Sequence, residues 1–271
     1  MSFLIVSVGS LMILVVAHGI TFLIGRRLGR YNVVDVTWGV GFVAVATVCA
    51  VAGTGDLFRR MLLLVLVAVW GLRLAWHMVG KSAGHGEDPR YRALLGDDFS
   101  GSSSSRERSP GGNVIRRIFL LQAAAGWFIS LPLQVSAVLG PTPPALLPVL
   151  VVGVVLWLFG VVFEAVGDHQ LRHFKADPAH RGAIMDRGLW AWTRHPNYFG
   201  DAFLWWGLWL ITVTGRVSLL TVVSPALMTY LLVYVTGARL TEEQMAGRLG
   251  FDEYRSRTSF FIPKLPKSRL T

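Results

Sequence analysis

Long apolar stretches alternate with short polar ones along most of the chain. A helix needs about 20 apolar residues to cross the hydrocarbon core of a bilayer, and seven stretches come close to that length. We predict seven transmembrane helices, at residues 3–24, 33–53, 61–80, 117–139, 145–166, 198–214 and 217–237. Little more than Gly215 and Arg216 separates the last two, so six helices and a re-entrant segment is the alternative.

The composition supports a chain that lies in a membrane. Of its 271 residues, 53% are hydrophobic and only 15% are charged, with a mean hydropathy of +0.51. A water-soluble chain of this length needs more charge to cover its surface. We therefore predict an all-α, polytopic integral membrane bundle, formed as a single domain over residues 1–271.

The basic residues predict the orientation of the bundle. Most of the 26 Lys and Arg residues fall in loops on one side, whereas the other side has only Arg59, Arg60 and Arg216. Because cytoplasmic loops are enriched in Lys and Arg, we predict an external N-terminus and a cytoplasmic C-terminus. The net charge of +10 then reflects topology and contact with anionic membrane lipids, and we expect no nucleic acid partner.

Three further features limit the possible chemistry. The Ser- and Gly-rich stretch at residues 96–112 cannot bury a core, so we predict a flexible cytoplasmic loop. Cys49 is the only cysteine, which excludes an internal disulfide, and we predict no metal site. Soluble nucleotide-binding motifs such as the Walker loop are also absent, so any nucleotide would have to bind between helices.

Candidate binding residues occur at the end of the fifth predicted helix. Glu164, Asp168 and Arg172 are spaced four residues apart, which places them on one helical face, and Lys175 follows one turn later. Carboxylates at the edge of a membrane helix are costly unless they face a polar cavity. This favours a pocket, and a ladder of ion pairs within the helix is the alternative.

A second group lies in the motif TRHPNYFGD at residues 193–201. A helix that begins inside this motif presents free backbone N–H groups to an anion, next to Arg194 and His195. Asp201 follows one turn later and can accept from a ribose or an amide, and Asn197 and Tyr198 complete the group. The alternative is an ordinary capped helix with an interfacial aromatic belt.

A third group lies in the amino-terminal half. Asp35 is at the start of the second predicted helix, and Trp70, Arg73 and His77 share a face of the third. A charged residue inside a membrane helix is a functional candidate, and we predict that Asp35 is the partner of Arg73. A purely structural buried salt bridge is the competing interpretation.

The ordered pattern FE…GDHQL…FK…GLW…TRHPNYFGD…WWG…SP…FIP resembles the steroid 5-alpha-reductase superfamily, and most closely its bacterial DUF1295 family. The resemblance is dense over residues 157–263 and looser over residues 32–92. It implies a seven-helix fold that holds NADPH in a cytoplasm-facing cavity. It also implies reduction of an activated carbon–carbon double bond in an apolar lipid or steroid-like substrate, in the inner membrane of a bacterial cell.

The resemblance also assigns residues to the cofactor. Asp168, Arg172 and Lys175 match positions near the adenosine and phosphates, and Asn197, Tyr198 and Asp201 match a cofactor-holding motif. The C-terminal segment that closes over the cofactor would supply Glu243, Arg248 and Tyr254. With Glu164, Arg194 and His195 from the polar pattern, these residues form the predicted cofactor site.

The predicted catalytic residues are Asp35, Trp70, Arg73 and His77. Asp35 lies where steroid reductases have a Gln-Glu pair, and Trp70 lies where they have a tyrosine, so the usual device for polarising a keto group is altered. We expect Asp35, through His77 or a water molecule, to hydrogen-bond the substrate carbonyl oxygen and stabilise the developing enolate.

Two other functions fit the sequence. Isoprenylcysteine carboxyl methyltransferases have a similar RHPxYxG stretch that binds S-adenosylmethionine. The group formed by Asp168, Arg172 and Lys175 favours the reductase, because a dinucleotide has phosphates to neutralise and S-adenosylmethionine has none. A non-catalytic lipid-binding or transport protein is the third possibility, since paired charges in a membrane also mark substrate paths.

Overall fold

A computed structural model of the chain describes residues 3–82 and 115–265, so the predicted loop at 96–112 lies outside the described residues. The described residues form helices joined by turns, with one isolated parallel β-bridge between Thr193 and Ser259. The α-helices are α1 (Phe3–Leu28), α2 (Val34–Ala52), α3 (Leu57–Ser82), α4 (Leu121–Ile129), α5 (Leu131–Ser136), α6 (Leu147–Ala176), α7 (Pro196–Thr212), α8 (Arg216–Leu219), α9 (Val223–Tyr230), α10 (Ala238–Met245) and α11 (Phe251–Arg257).

Five helical stretches among the described residues are long and apolar enough to cross a membrane. They are Phe3–Leu28, Val34–Ala52, Leu57–Ser82, Pro144–Ala176 and Arg216–Met245. These correspond to the first, second, third, fifth and seventh predicted helices. The all-helical, membrane-embedded character predicted from the sequence is therefore confirmed, whereas the count of seven and the orientation of the termini stay predictions.

The fourth predicted helix, at 117–139, is interrupted. A π-helical turn at Ile115–Leu120 leads into α4, and the chain breaks at Ser130 before α5 begins. Pro132 lies in the first turn of α5, where its missing N–H removes a hydrogen bond that a continuous helix would need. The Ser130 hydroxyl donates to the Trp127 carbonyl at 2.9 Å, which satisfies an acceptor at the break.

The sixth predicted helix, at 198–214, corresponds to α7, which has 17 residues. At 1.5 Å per residue α7 is about 26 Å long, slightly less than a typical hydrocarbon core. The last predicted helix, at 217–237, is not a uniform α-helix. It passes from α8 through a 3₁₀ turn at Leu220–Val222 and α9 into a π-helical segment at Leu231–Val235.

The chain divides into two compact units, each described by itself. The first consists of Met1–Thr142 and Thr214–Thr221, and the second of Pro143–Val213 and Val222–Thr271. In the first unit α2 packs against α1 and α3. Gly39 and Gly71 bring the backbones of α2 and α3 together, since a Cβ atom at Gly71 would lie only 2.7 Å from the Gly39 carbonyl oxygen.

Arg59 holds the start of α3 to the end of α5 in the first unit. Its side chain is completely buried. Its Nε donates to Ser136 Oγ at 2.8 Å, and Nη2 donates to the carbonyl oxygens of Leu139 and Gly140 at 2.9 Å each. Because a buried guanidinium is costly without partners, these bonds make Arg59 a structural tie in this unit.

The second unit is organised by the antiparallel pair of α6 and α7. Glycines recur every seven residues on the contact face of α6, at Gly153, Gly160 and Gly167. A Cβ atom at Gly160 would lie 2.6 Å from the Gly200 carbonyl oxygen, and one at Gly207 would lie 2.6 Å from the Gly153 carbonyl oxygen. The two backbones are therefore in direct contact, with small residues at the interface as in many membrane helix pairs.

This packing predicts the effect of one added methyl group. Gly160→Ala should lower the unfolding free energy by about 1–3 kcal/mol, because the new Cβ atom meets backbone atoms of α7 that cannot rotate away. The thermal midpoint of the detergent-purified variant measures the effect. Gly80→Ala is the matched control, because a Cβ atom there meets nothing within 4 Å. Equal midpoints for the two variants would show that this contact does not hold the pair together.

Candidate functional site

The α6–α7 pair buries three carboxylates near one end. Glu164 and Asp168 lie one turn apart on α6 and are only 3% and 7% exposed, and Asp201 on α7 is 7% exposed. Gly200, next to Asp201, packs on the Glu164 backbone, where a Cβ atom would lie 2.6 Å from the Glu164 nitrogen. The structure thus brings two predicted motifs, more than 30 residues apart in sequence, into contact.

The predicted basic residues on α6 lie beyond this acidic group. Arg172 follows Asp168 by one turn, and Lys175 follows in the last turn of the helix. Both side chains are exposed. The predicted face of α6 therefore passes from buried carboxylates to exposed cations within 12 residues, about 17 Å at 1.5 Å per residue.

Arg194 and His195 contact a carboxylate. Arg194 Nε donates to Glu242 Oε1 at 2.6 Å, and Nη2 donates to Oε2 at 3.2 Å. His195 Nε2 lies 3.1 Å from Glu242 Oε1. This bidentate Arg–carboxylate geometry is a strong form of ion pair. The sequence predicted a cationic anion-binding pair here, and the structure shows a buried cluster in which Glu242 balances the charge of Arg194.

Arg194 also binds the C-terminal segment of the chain. Its Nη1 donates to the carbonyl oxygens of Arg255 at 3.0 Å and Thr258 at 2.6 Å. We call residues 251–264 the C-terminal strap, because they run along residues 186–194 just before α7. Further bonds between them join Thr193 Oγ1 to the Phe261 carbonyl, Arg194 N to the Ser259 carbonyl, Lys264 N to the Trp192 carbonyl, Tyr254 Oη to the Trp190 carbonyl, and Arg257 to the Asp186 carboxylate.

The first turn of α7 contains an unsatisfied acceptor. The Asn197 Oδ1 atom is buried and has no hydrogen-bond partner within the described part of the chain. The half-buried ring of Tyr198 stacks on His195 with ring centroids 5.8 Å apart. Because buried polar atoms in native proteins nearly always have partners, the Asn197 oxygen indicates a position that a bound donor could fill.

Three predicted residues come from the C-terminal segment, and they differ in burial. Glu243 and Arg248 are exposed, whereas Tyr254 is buried, and burial raises the pKa of its hydroxyl. Tyr254 donates to the Trp190 carbonyl at 2.7 Å and so holds the C-terminal strap in place. The cofactor roles of all three stay predictions.

The carboxylate that binds Arg194 is Glu242, whereas the sequence pattern predicted its neighbour Glu243. On α10, Ala238 is buried and Met245 is half-buried, and helical spacing puts Glu242 on the same face. Glu243 falls on the exposed side. The helical periodicity of this short segment was the signal that could have identified Glu242 as the inward carboxylate.

The predicted catalytic residues belong to the first unit. Trp70 is completely buried, and Asp35, Arg73 and His77 are half-buried. Gly39 of α2 lies against the stretch of α3 from Gly71 to Ala75. Because α2 and α3 run antiparallel, Asp35, one turn before Gly39, lies at the level of His77. The register of this antiparallel helix pair is compatible with the expected relay between Asp35 and His77, which stays a prediction.

Comparison with known protein families matches residues 21–258 to the family described as "protein of unknown function (DUF1295)". The chain belongs to the DUF1295 family. The match covers most of the chain, including α2 to α10 and the whole Arg194–His195–Glu242 cluster. No curated protein and no solved structure matches the chain.

The Arg194–Glu242 pair predicts a strong effect from a single substitution. Glu242→Ala should destabilise this DUF1295 protein by about 3–5 kcal/mol, because it leaves the Arg194 guanidinium buried without its carboxylate. Thermal unfolding measures the loss, and limited proteolysis should show faster cleavage in the C-terminal strap. Glu243→Ala, one residue away and exposed, should change stability by no more than about 0.5 kcal/mol. A Glu242→Ala protein that matches this control would contradict the role of the pair.

His195 predicts a pH dependence. Burial lowers its pKa from 6.5, Glu242 opposes the shift, and Arg194 adds to it. The neutral ring then donates from Nε2 to Glu242. Below about pH 6.5 the unfolded chain binds a proton that the folded chain does not, so stability falls as the pH falls towards the lowered pKa. Thermal midpoints across this range should fall less for His195→Gln than for the wild-type protein, and parallel curves would exclude His195 as the source.

Proposed function

We propose that this DUF1295 protein is a membrane-embedded, NADPH-dependent reductase of a carbon–carbon double bond in an apolar, enone-like lipid. The observation that supports this function best is the buried and unpartnered Asn197 Oδ1 atom in the first turn of α7. It lies in a motif that resembles the cofactor motif of the steroid 5-alpha-reductase superfamily. An amide or hydroxyl donor of a bound cofactor would satisfy it.

The residues of the second unit fit a dinucleotide in other respects. A dinucleotide has ribose hydroxyls, which carboxylates accept from, and phosphates, which need cations. Asp168 and Asp201 would bind the hydroxyls. Arg172 is exposed, so its guanidinium is accessible to a phosphate from solution.

The structure changes which cations we assign to the phosphates. The Arg194 guanidinium already donates to Glu242 and to two strap carbonyls. We therefore assign phosphate binding to Arg172 and Lys175. Arg194 and His195 act as positioning residues, because they fix the start of α7 and hence the orientation of Asn197.

When bound, NADPH supplies the hydride for the double bond. The chain's own task is to bind the substrate carbonyl and stabilise negative charge on its oxygen. We assign that hydrogen bond to Asp35, with His77 at the same level of the adjacent helix. The apolar surroundings of α2 and α3 suit a lipid substrate, which the bilayer supplies.

One observation favours a second candidate, an S-adenosylmethionine-dependent methyltransferase. Because Glu242 balances the charge of Arg194, the start of α7 is less cationic than the sequence predicted. S-adenosylmethionine has no phosphates, so it needs less positive charge than a dinucleotide. The exposed cations of α6 favour the reductase.

A ligand-dependent shift in melting temperature separates these functions. NADPH at 100 times its dissociation constant should stabilise the detergent-purified protein by about 2.7 kcal/mol, and S-adenosylmethionine should have no effect. Arg172→Ala should abolish the NADPH shift because it removes the phosphate contact. Arg181→Ala removes an exposed arginine of the neighbouring segment and should leave the shift unchanged.

The outcomes of this experiment differ for each function. A shift with S-adenosylmethionine alone would support the methyltransferase, and no shift with either ligand would reject both enzymes.

Measurement of turnover tests the predicted catalytic residues of the first unit separately. Asp35→Asn should keep the NADPH shift and lose reduction of an enone lipid, and an Asp35→Asn protein with full activity would exclude Asp35 as the proton donor.

A further inference from the structure

Two histidines that the proposed reaction does not use lie together on the last turns of α6. His169 and His173 are four residues apart, and their ring centroids are 4.2 Å apart with the ring planes inclined at 54°. Both side chains are exposed. Four-residue spacing puts both imidazoles on the same side of a helix, as in known zinc-binding helices. The two rings are therefore accessible to an ion from solution.

The distance between the rings indicates which coordination geometry they can support. With metal–nitrogen bonds of roughly 2.0 Å, two imidazoles on adjacent corners of a square have centroids about 4.5 Å apart, and on a tetrahedron about 5 Å apart. The observed separation of 4.2 Å is closer to the square arrangement.

The surroundings limit the site to two protein ligands. Asp177 lies four residues beyond His173, but its carboxylate accepts from the Ala179 backbone N–H at 2.9 Å and lies 3.5 Å from His180 Nδ1. Within residues 3–82 and 115–265, no group of three or more His, Cys, Asp or Glu side chains is placed to hold a metal ion. Water molecules would fill the other coordination positions.

We propose that His169 and His173 form a two-histidine chelate for a divalent transition metal of tetragonal geometry, with Cu²⁺ bound more tightly than Ni²⁺. Imidazole nitrogen is a preferred ligand of both ions, and Cu²⁺ is the stronger binder in the general order of metal affinity. The site rests on α6 alone and does not depend on the proposed reductase activity.

The bound ion would link two successive turns of α6. It would hold the helical conformation at the end of α6, next to Asp168 and Arg172, because an unwound turn would separate the two ligands. Arg172 and Lys175 lie on the same turns and repel a cation, so salt that screens this repulsion should strengthen metal binding. Metal binding is thus coupled to the order of the segment that presents the basic residues.

Tag-free, detergent-purified protein and Cu²⁺ provide the test. We expect one tightly bound Cu²⁺ per chain by calorimetry, and an electron paramagnetic resonance spectrum with nitrogen couplings from two imidazoles. His169→Gln and His173→Gln should each weaken binding by about tenfold or more, because one linked ligand is lost. Each variant should retain coupling from one imidazole at most.

The matched control uses His180, a partly exposed histidine that follows the end of α6. His180→Gln should bind Cu²⁺ as the wild-type protein does, with the two-nitrogen spectrum unchanged. Circular dichroism should show that His169→Gln and His173→Gln are folded, because both side chains are exposed. Wild-type affinity in a folded His169→Gln protein, or loss of binding in His180→Gln, would overturn the proposed chelate.

Discussion

Backbone contact between α6 and α7 is the constraint on which the candidate site depends. The glycines at 153, 160, 200 and 207 allow the two helices to approach until Cα atoms and carbonyl oxygens touch. This close approach places Gly200, next to Asp201, against the Glu164 backbone and so sets the position of α7 along α6. A larger residue at one of these positions would move two groups of polar side chains apart, although none of the four glycines has any chemistry of its own.

The Arg194–His195–Glu242 cluster performs a different task in the same unit. Glu242 neutralises Arg194, and the remaining Arg194 donors bind carbonyls of the C-terminal strap. Breaking such a pair is costly because it leaves a charge buried without its partner. The residues that look most reactive in the sequence therefore stabilise the start of α7, whereas the unsatisfied Asn197 oxygen next to them is the better indication of a ligand.

The sequence predicted the long apolar helices well, because about 20 consecutive apolar residues leave few alternatives in a bilayer. It predicted one helix across 117–139, where Pro132 and the Ser130 hydroxyl produce a break that hydropathy alone does not reveal. At the site, the spacing of Glu164, Asp168 and Arg172 correctly indicated one helical face. The carboxylate partner of Arg194 was harder to predict, because it comes from α10, which is distant in sequence. The sequence pattern predicted Glu243, whereas Glu242 makes the contact.

The C-terminal strap has a consequence for the order in which the protein matures. The Arg194 guanidinium finds its carboxylate 48 residues later and its last carbonyl partner 64 residues later. At about 5–20 residues per second, a ribosome takes roughly 3–13 s to add those 64 residues. During that interval only water or lipid headgroups can hydrogen-bond the guanidinium, so the segment that precedes α7 reaches its final conformation only after the strap has been synthesised.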